Sequence, residues 1–201
     1  MMRVLCLLLG YLLGNFSTGI LIAQHRGTDI RHEGSGNPGT TNVIRVIGAK
    51  AGVFTFVGDF GKAVLAVLLG RWIGGEDALL CSMCSSLGVI VGHNWPVLYG
   101  FKGGKGVACS TAILLMMYPL NGLVSVAVCL LAIFLTRYVS LGSLMMVFTF
   151  MLLTFMNTGF LPAMLWAAVI CVMCFFRHAR NIRRLMNGTE NRLHFSKKEK
   201  S

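Results

Sequence analysis

Charge is what this sequence has least of: Asp, Glu, Lys and Arg make up 12% of its 201 residues, against 55% that are apolar. A soluble domain carries about 25% charged residues, so a water-facing globule is excluded and lipid is the expected solvent. Carboxylates are the scarcest of all, 7 against 18 Lys and Arg. With so few in the polar loops, no metal requirement is indicated. Other absences narrow the chemistry. Residues 34–39 contain G-x-G-x-x-G, and Asp59 follows Gly39 by 20 residues. Yet no strand pattern precedes Gly34, no βαβ unit follows, and Asp59 lies in an apolar run, which excludes a dinucleotide fold. The P-loop spacing G-x-x-x-x-G-K-[ST] is also missing, so nucleotide hydrolysis is not indicated.

Cysteine is present in an odd number, 7, which argues against a disulfide framework. Two C-x-x-C pairs, Cys81/Cys84 and Cys171/Cys174, lie inside apolar segments that contain no histidine. They read as small helix residues rather than a zinc or redox site. The amino terminus lacks a small-x-small cleavage site, and its apolar stretch runs on past Asn15, Ser17 and Thr18, so it reads as a first spanning helix rather than a signal peptide. No long linker, second domain or internal repeat interrupts the chain, which forms one domain over 1–201 with a polar tail at 196–201.

Long apolar runs, by contrast, are abundant. A spanning helix needs about 20 mostly apolar residues, and the runs 107–135 and 144–176 exceed that. The expected fold class is all-α, a polytopic transmembrane helical bundle. Its spans fall at 4–22, 51–70, 78–91, 107–118, 121–136, 141–156 and 160–176. This count of seven rests on breaks at Pro119-Leu-Asn-Gly122 and Asn157-Thr-Gly159. If both are only kinks, five remain. Several segments are short enough to be tilted, partial or re-entrant.

The charge pattern fixes an orientation. With seven spans, Arg26, Arg31, Arg45, Lys50, Lys102, Lys105, Arg137 and all eight basic residues from Arg177 onward share one face. The positive-inside rule makes that face cytoplasmic, with the carboxyl terminus on it. The amino terminus, Arg3, Glu76 and Asp77 are expected on the other. A net charge of +11 could indicate a nucleic-acid partner, but basic residues clustered beside apolar segments mark a membrane protein instead.

Three constellations carry chemistry. Gly34-Ser-Gly-Asn-Pro-Gly-Thr-Thr-Asn42, followed by Arg45, offers backbone N–H groups, the hydroxyls of Ser35, Thr40 and Thr41 and a nearby helix start to an anion. An ordinary interhelical turn would have similar composition. Residues 92–108 set Gly103, Gly104 and Gly106 around Lys102 and Lys105, where glycines expose amides and Lys105 supplies a mobile point charge. A basic loop that only sets topology explains Lys102 better than Lys105. In residues 177–190, His178 and Asn181 share a helical face at i,i+3 amid Arg180, Arg183 and Arg184. Topology alone needs only the arginines. Asp59 and Lys62 are an i,i+3 pair in an apolar span, where an unsupported charge costs about 2.5 to 3.5 kcal/mol, so they pair with each other or face a polar cavity. The turn at Arg137-Tyr-Val-Ser140 brings Ser140 to the same face.

In this order and spacing, the three constellations resemble the three motifs of the bacterial acyl-phosphate:glycerol-3-phosphate acyltransferases, and the resemblance covers nearly the whole chain. It implies an enzyme that moves a long acyl chain from acyl phosphate to the 1-hydroxyl of glycerol 3-phosphate, giving 1-acylglycerol 3-phosphate for phospholipid synthesis. It implies a multi-pass protein of the bacterial cytoplasmic membrane, with the two substrates and membrane lipids as partners, no nucleic acid, no cofactor, and oligomeric state left open. Carried over by motif, Ser35, Arg45, Lys105, His178 and Asn181 are catalytic. Substrate binding falls to Gly34, Gly36, Asn37, Gly39, Thr40, Thr41 and Asn42, to His93, Lys102, Gly103, Gly104 and Gly106, and to Ser140. Asp59, Lys62 and Glu190 support them.

The chemistry is consistent with these residues. An acyl phosphate has a good leaving group, so direct attack by a hydroxyl needs no covalent enzyme intermediate and no Ser-His-Asp or Cys-His arrangement. It needs two phosphates held close, a stabilised oxyanion and a route for the hydroxyl proton. His178, oriented by Asn181, or a substrate phosphate can take that proton. The main alternative is a transporter or channel for an organic phosphate, since basic loops beside broken helices also suit an anion pathway. A purely structural membrane subunit leaves the three glycine-basic motifs without a purpose.

Overall fold

The computed structural model describes residues 1–193, so the polar tail and its three lysines lie outside the described residues. The described residues are mainly helical and contain no strand. Its helices are α1 (Met2–Asn15), α2 (Thr18–His25), α3 (Thr40–Val46), α4 (Ala49–Gly74), α5 (Ala78–Asn94), α6 (Val107–Met117), α7 (Pro119–Thr136), α8 (Val139–Asn157), α9 (Leu161–Arg177) and α10 (Ala179–Met186). Pro119 starts α7, where its missing N–H is not needed, and the Asn157-Thr-Gly159 stretch separates α8 from α9. Each of the seven expected apolar segments is therefore helical.

Length revises the count of spans. Four stretches are long and apolar enough to cross a membrane: Met2–His25, Ala49–Tyr99, Pro119–Thr136 and Val139–Asn157. A fifth appears if Leu161–Arg177 and Ala179–Met186, bent by 62°, count as one. The expected seven is not reached by this measure, for two reasons. Ala49–Tyr99 contains two helices, α4 and α5, folded against each other. At 1.5 Å per residue, α6 is only about 16 Å long, short of a hydrocarbon core about 30 Å thick. The first expected span is also corrected: it breaks at Phe16-Ser17 between α1 and α2. There the freed carbonyls of Gly14 and Phe16 accept hydrogen bonds from Lys62 at 3.0 and 2.5 Å.

Small residues decide the packing. Gly10 and Gly14 on α1 meet Gly88 and Gly92 on α5, and a Cβ on any of the four would collide with the facing backbone. Contacts that rise together in number, Gly10 with Ser85 and Gly14 with Val89, make this pair parallel. It is the small-xxx-small seam that brings helices together where no hydrophobic drive separates lipid from protein. Helix α4 runs antiparallel to α5, and the hydroxyls of Ser82 and Ser85 donate to Val67 O at 3.2 Å and Ala66 O at 2.7 Å. Deeper in the bundle, Phe150 and Trp166 pack at 5.9 Å, with Trp166 Nε1 donating to Ser86 Oγ at 2.9 Å. Cys81, Cys171 and Cys174 are buried helix residues of this interior. Outward, Trp72 is 81% exposed, with Leu120, Phe134 and Leu135 also bare. Such a belt suits acyl chains, not water.

This packing segregates the polar ends. Arg3 meets Asp77 at one end, joining the amino terminus to the α4–α5 turn. At the other, Arg31 reaches Tyr99 O, Arg177 reaches the carbonyls of Gly103 and Gly104, and Leu193 N donates to Arg137 O.

Candidate active site

At that second end lies a cavity of about 260 Å³. The first motif supplies Ser35, Asn37, Gly39, Thr40, Thr41, Asn42 and Arg45 to its wall, and the second supplies His93, Lys105 and Gly106. Asp59 lies in its floor, Ser140 comes from α8, and the third motif contributes His178, Asn181 and Glu190. The sequence separates these residues by as much as 155 positions, Ser35 to Glu190. The fold brings them together.

Each motif is built differently. The loop before α3 turns at Gly34, whose φ of 58° favours glycine. Asn42 locks it: its Oδ1 accepts from Ser35 N at 2.9 Å, and its Nδ2 donates to Glu33 O at 2.9 Å. Asn42, expected to bind substrate, thus spends its amide on the loop. Ser35 and Arg45 are exposed at the rim.

The second loop is clamped from both sides. Arg177 Nη2 donates to Gly103 O at 2.8 Å and Gly104 O at 2.7 Å, while its guanidinium lies 5.3 Å from the Trp95 ring centroid. On the opposite face, Gly104 N donates to His93 O at 3.0 Å, and the His93 ring occupies the space that a Cβ on Gly104 would need. Gly106 takes φ 72° and starts α6, so the helix opens towards the cavity through Gly106, Val107 and Ala108. A helix start presents free N–H groups to an anion.

Lys105, expected as a mobile charge, is instead held. Its Nζ donates to Asn181 Oδ1 at 2.5 Å. Burial is the main cause that pulls its pKa down to about 8; the Glu190 carboxylate pushes back upward, and Arg184 adds to the lowering. Asn181 in turn donates to Glu190 Oε1 at 2.6 Å, joined by Ser140 Oγ at 3.0 Å, and Arg184 Nε donates to Glu190 Oε2 at 2.7 Å. Burial raises the Glu190 pKa, but these three donors outweigh it and the net direction is down. Glu190 is the organiser of the third motif.

His178 is buried at the junction of α9 and α10. The expected orientation by Asn181 is not what holds it. Its Nδ1 lies 2.8 Å from Cys174 O, which only accepts, so Nδ1 carries the ring proton and Nε2 keeps its lone pair. Asn181 is committed to Lys105 and Glu190.

Several expected residues stand outside this cavity. Lys102, Gly36 and Gly103 line a second, larger cavity of about 530 Å³, together with Arg31, Arg177 and Arg180. The two cavities share Ser35, Asn37, Lys105, Asn181 and Arg184 as walls. Gly34 packs on Asn42, Gly104 on His93, and Lys62 sits behind the floor. Sequence reasoning missed the apolar wall made by Phe56, Val107, Ala108 and Val139. Val107 and Ala108 close the second motif, whereas nothing distinguishes Phe56 and Val139 from the lipid-facing residues around them.

A cation-rich pocket at one end of an apolar helical bundle, with the His178 imidazole and an apolar wall lining it, suits an integral membrane enzyme that acts on an anionic substrate. The glycerol-3-phosphate acyltransferase family model matches residues 4–188. The glycerol-3-phosphate acyltransferase of Clostridioides difficile (strain 630) is 40% identical over 197 residues, covering 94% of this chain and 95% of that protein. That of Symbiobacterium thermophilum is 41% identical over 186 residues, 92% of each. Among solved structures, PlsY (YgiH), an integral membrane glycerol 3-phosphate acyltransferase in its glycerol 3-phosphate form, superposes with a TM-score of 0.89 at 36% identity, covering 96% of both chains. Its lysophosphatidic acid form gives 0.86 at 35%, over 96% and 95%. The chain belongs to the glycerol-3-phosphate acyltransferase family. It is thus an enzyme, and the transporter alternative falls.

Proposed function

We propose that this enzyme transfers a long acyl chain from acyl phosphate to the 1-hydroxyl of glycerol 3-phosphate, releasing inorganic phosphate and 1-acylglycerol 3-phosphate. The observation that carries this reading is the single cavity in which Lys105, Arg45 and the start of α6 stand beside His178 and against an apolar wall. In the reaction the substrate hydroxyl oxygen forms a bond to the acyl carbon, and the bond from that carbon to the phosphate oxygen breaks. Phosphate leaves with the electron pair. The hydroxyl proton passes to His178 Nε2, the nitrogen that its neighbours leave bare. Ser35, Arg45, the α6 start and Lys105, which Asn181 positions, hold the phosphates and the developing oxyanion, an aim worth several kcal/mol.

The apolar wall of Phe56, Val107, Ala108 and Val139 takes the beginning of the acyl chain, whose remainder lies among lipids. The second cavity, with its arginines and Lys102, is the polar approach for glycerol 3-phosphate. We assign this end to the cytoplasmic side of the bacterial inner membrane, on the strength of its concentration of basic residues.

The test uses the purified protein in lipid, supplied with glycerol 3-phosphate and either acyl phosphate or acyl-coenzyme A. Equimolar phosphate and lysophosphatidate from the first donor and none from the second is the expected result. Product from acyl-coenzyme A alone overturns the choice of donor.

A further inference from the structure

Behind the floor of the cavity is a charge cluster that the reaction just described does not use. Lys62 projects from α4, with its side chain only 9% exposed. Its Nζ lies 3.0 Å from Gly14 O, 2.5 Å from Phe16 O and 3.0 Å from His93 Nδ1. Asp59 Oδ1 is 3.2 Å away as its counter-ion and also accepts from Thr18 Oγ1 at 3.4 Å. An ammonium has three N–H donors and no acceptor. Two of them satisfy the carbonyls freed by the break between α1 and α2, and the third is shared between His93 Nδ1 and Asp59 Oδ1.

That geometry decides the state of His93. A ring proton on Nδ1 would set two donors against each other at 3.0 Å, and Asp59 Oδ1, at 3.6 Å from Nδ1, is too far to take it. The proton therefore sits on Nε2. This nitrogen is next to Gly104, one residue before Lys105, and the buried ring forms part of the cavity wall. Lys62 and Asp59 are a paired charge inside an apolar span, where ionisable side chains are rare and mark function.

We propose that Lys62 is a positioning residue for the transfer reaction: it fixes His93 as an Nε2–H donor towards the substrate phosphate and braces the Gly103–Lys105 loop. The proposal rests on the functional reading above. Lys62 touches no substrate. It acts through His93, and the α1–α2 break supplies the carbonyls that hold its other two protons.

The test begins with the unaltered protein. Nitrogen-15 spectra of histidine-labelled enzyme in lipid nanodiscs, with the His93 signals assigned by their loss in His93→Gln, are expected to show a bare Nδ1 and a protonated Nε2. A neutral ring protonated at Nδ1 overturns the proposal without any Lys62 variant. In Lys62→Met the tautomers are expected to mix, and kcat/KM for glycerol 3-phosphate to fall about 10- to 100-fold, as for other small misplacements of a binding group. Lys62→Arg, which keeps a donor, recovers part of that loss. Combining Lys62→Met with His93→Gln is expected to be no worse than His93→Gln alone, because one effect runs through the other. Losses that multiply while His93 keeps its tautomer in Lys62→Met make the lysine merely structural and overturn the proposal. A wild-type protein that forms no lysophosphatidate overturns the functional reading and the proposal together; active wild type with an unaffected Lys62→Met overturns the proposal alone.

Discussion

His93 and His178 both line one cavity, and their neighbours hold them in opposite tautomers. His178 gives its Nδ1 proton to a carbonyl, Cys174 O, and turns a lone pair to the cavity. His93 receives a proton at Nδ1 from an ammonium, Lys62, and turns an N–H to the cavity. The same side chain is thereby an acceptor in one place and a donor in the other. A backbone carbonyl can only accept and an ammonium can only donate, so the partner, not the imidazole, sets the role.

Breaking the acceptor side gives the largest expected effect. In His178→Ala, kcat falls about 100- to 10,000-fold with little change in KM, the usual size of a lost general base. Steady-state kinetics check this, and an unchanged kcat transfers the proton to a substrate phosphate. Next comes the cation between the two histidines. Lys105→Met removes a charged hydrogen bond worth about 1.5 to 3 kcal/mol, raising KM for glycerol 3-phosphate about 10- to 150-fold. The pKa of Lys105, pulled to about 8 by burial, adds a pH signature: the ammonium is present below that value, so KM rises as pH climbs through it. In Lys105→Arg the alkaline rise disappears.

The donor side is weaker. His93→Gln keeps an N–H near the Nε2 position but loses the hold of Lys62, and kcat/KM falls about 10-fold, mostly through KM. Smallest is Glu190→Gln, which keeps the shape of the third motif and removes its charge. The Glu190 carboxylate holds the Lys105 pKa up. Without it, the alkaline rise in KM begins at lower pH, with only a few-fold loss of activity at neutral pH. A profile that does not move separates Glu190 from Lys105.

The sequence revealed a good deal of this. Six of the seven apolar segments are single helices, and the breaks at Pro119 and Asn157-Thr-Gly159 fall where proline and glycine placed them. Asp59 and Lys62 were legible as a pair because two charges one helical turn apart in an apolar run have few other ways to be satisfied. The break at Phe16-Ser17 was not legible. The carbonyls it frees are met by Lys62, 46 residues away from Phe16 in sequence, a partner that no local pattern announces. Asn181 was read as the partner of His178 because three residues apart on a helix means one face. His178 instead caps α10, and its ring turns to the carbonyl of Cys174 on the preceding helix.

By itself, then, the sequence determined the solvent of this protein and the chemistry of its loops. Apolar runs with so little charge call for lipid, and glycine amides beside Lys and Arg suit an anion. Tertiary structure decided which groups donate and which accept. Direction in a hydrogen bond belongs to a pair, and the partners of Lys62, His93 and Lys105 are brought to them by helix packing, in which the glycine seam draws α1 against α5.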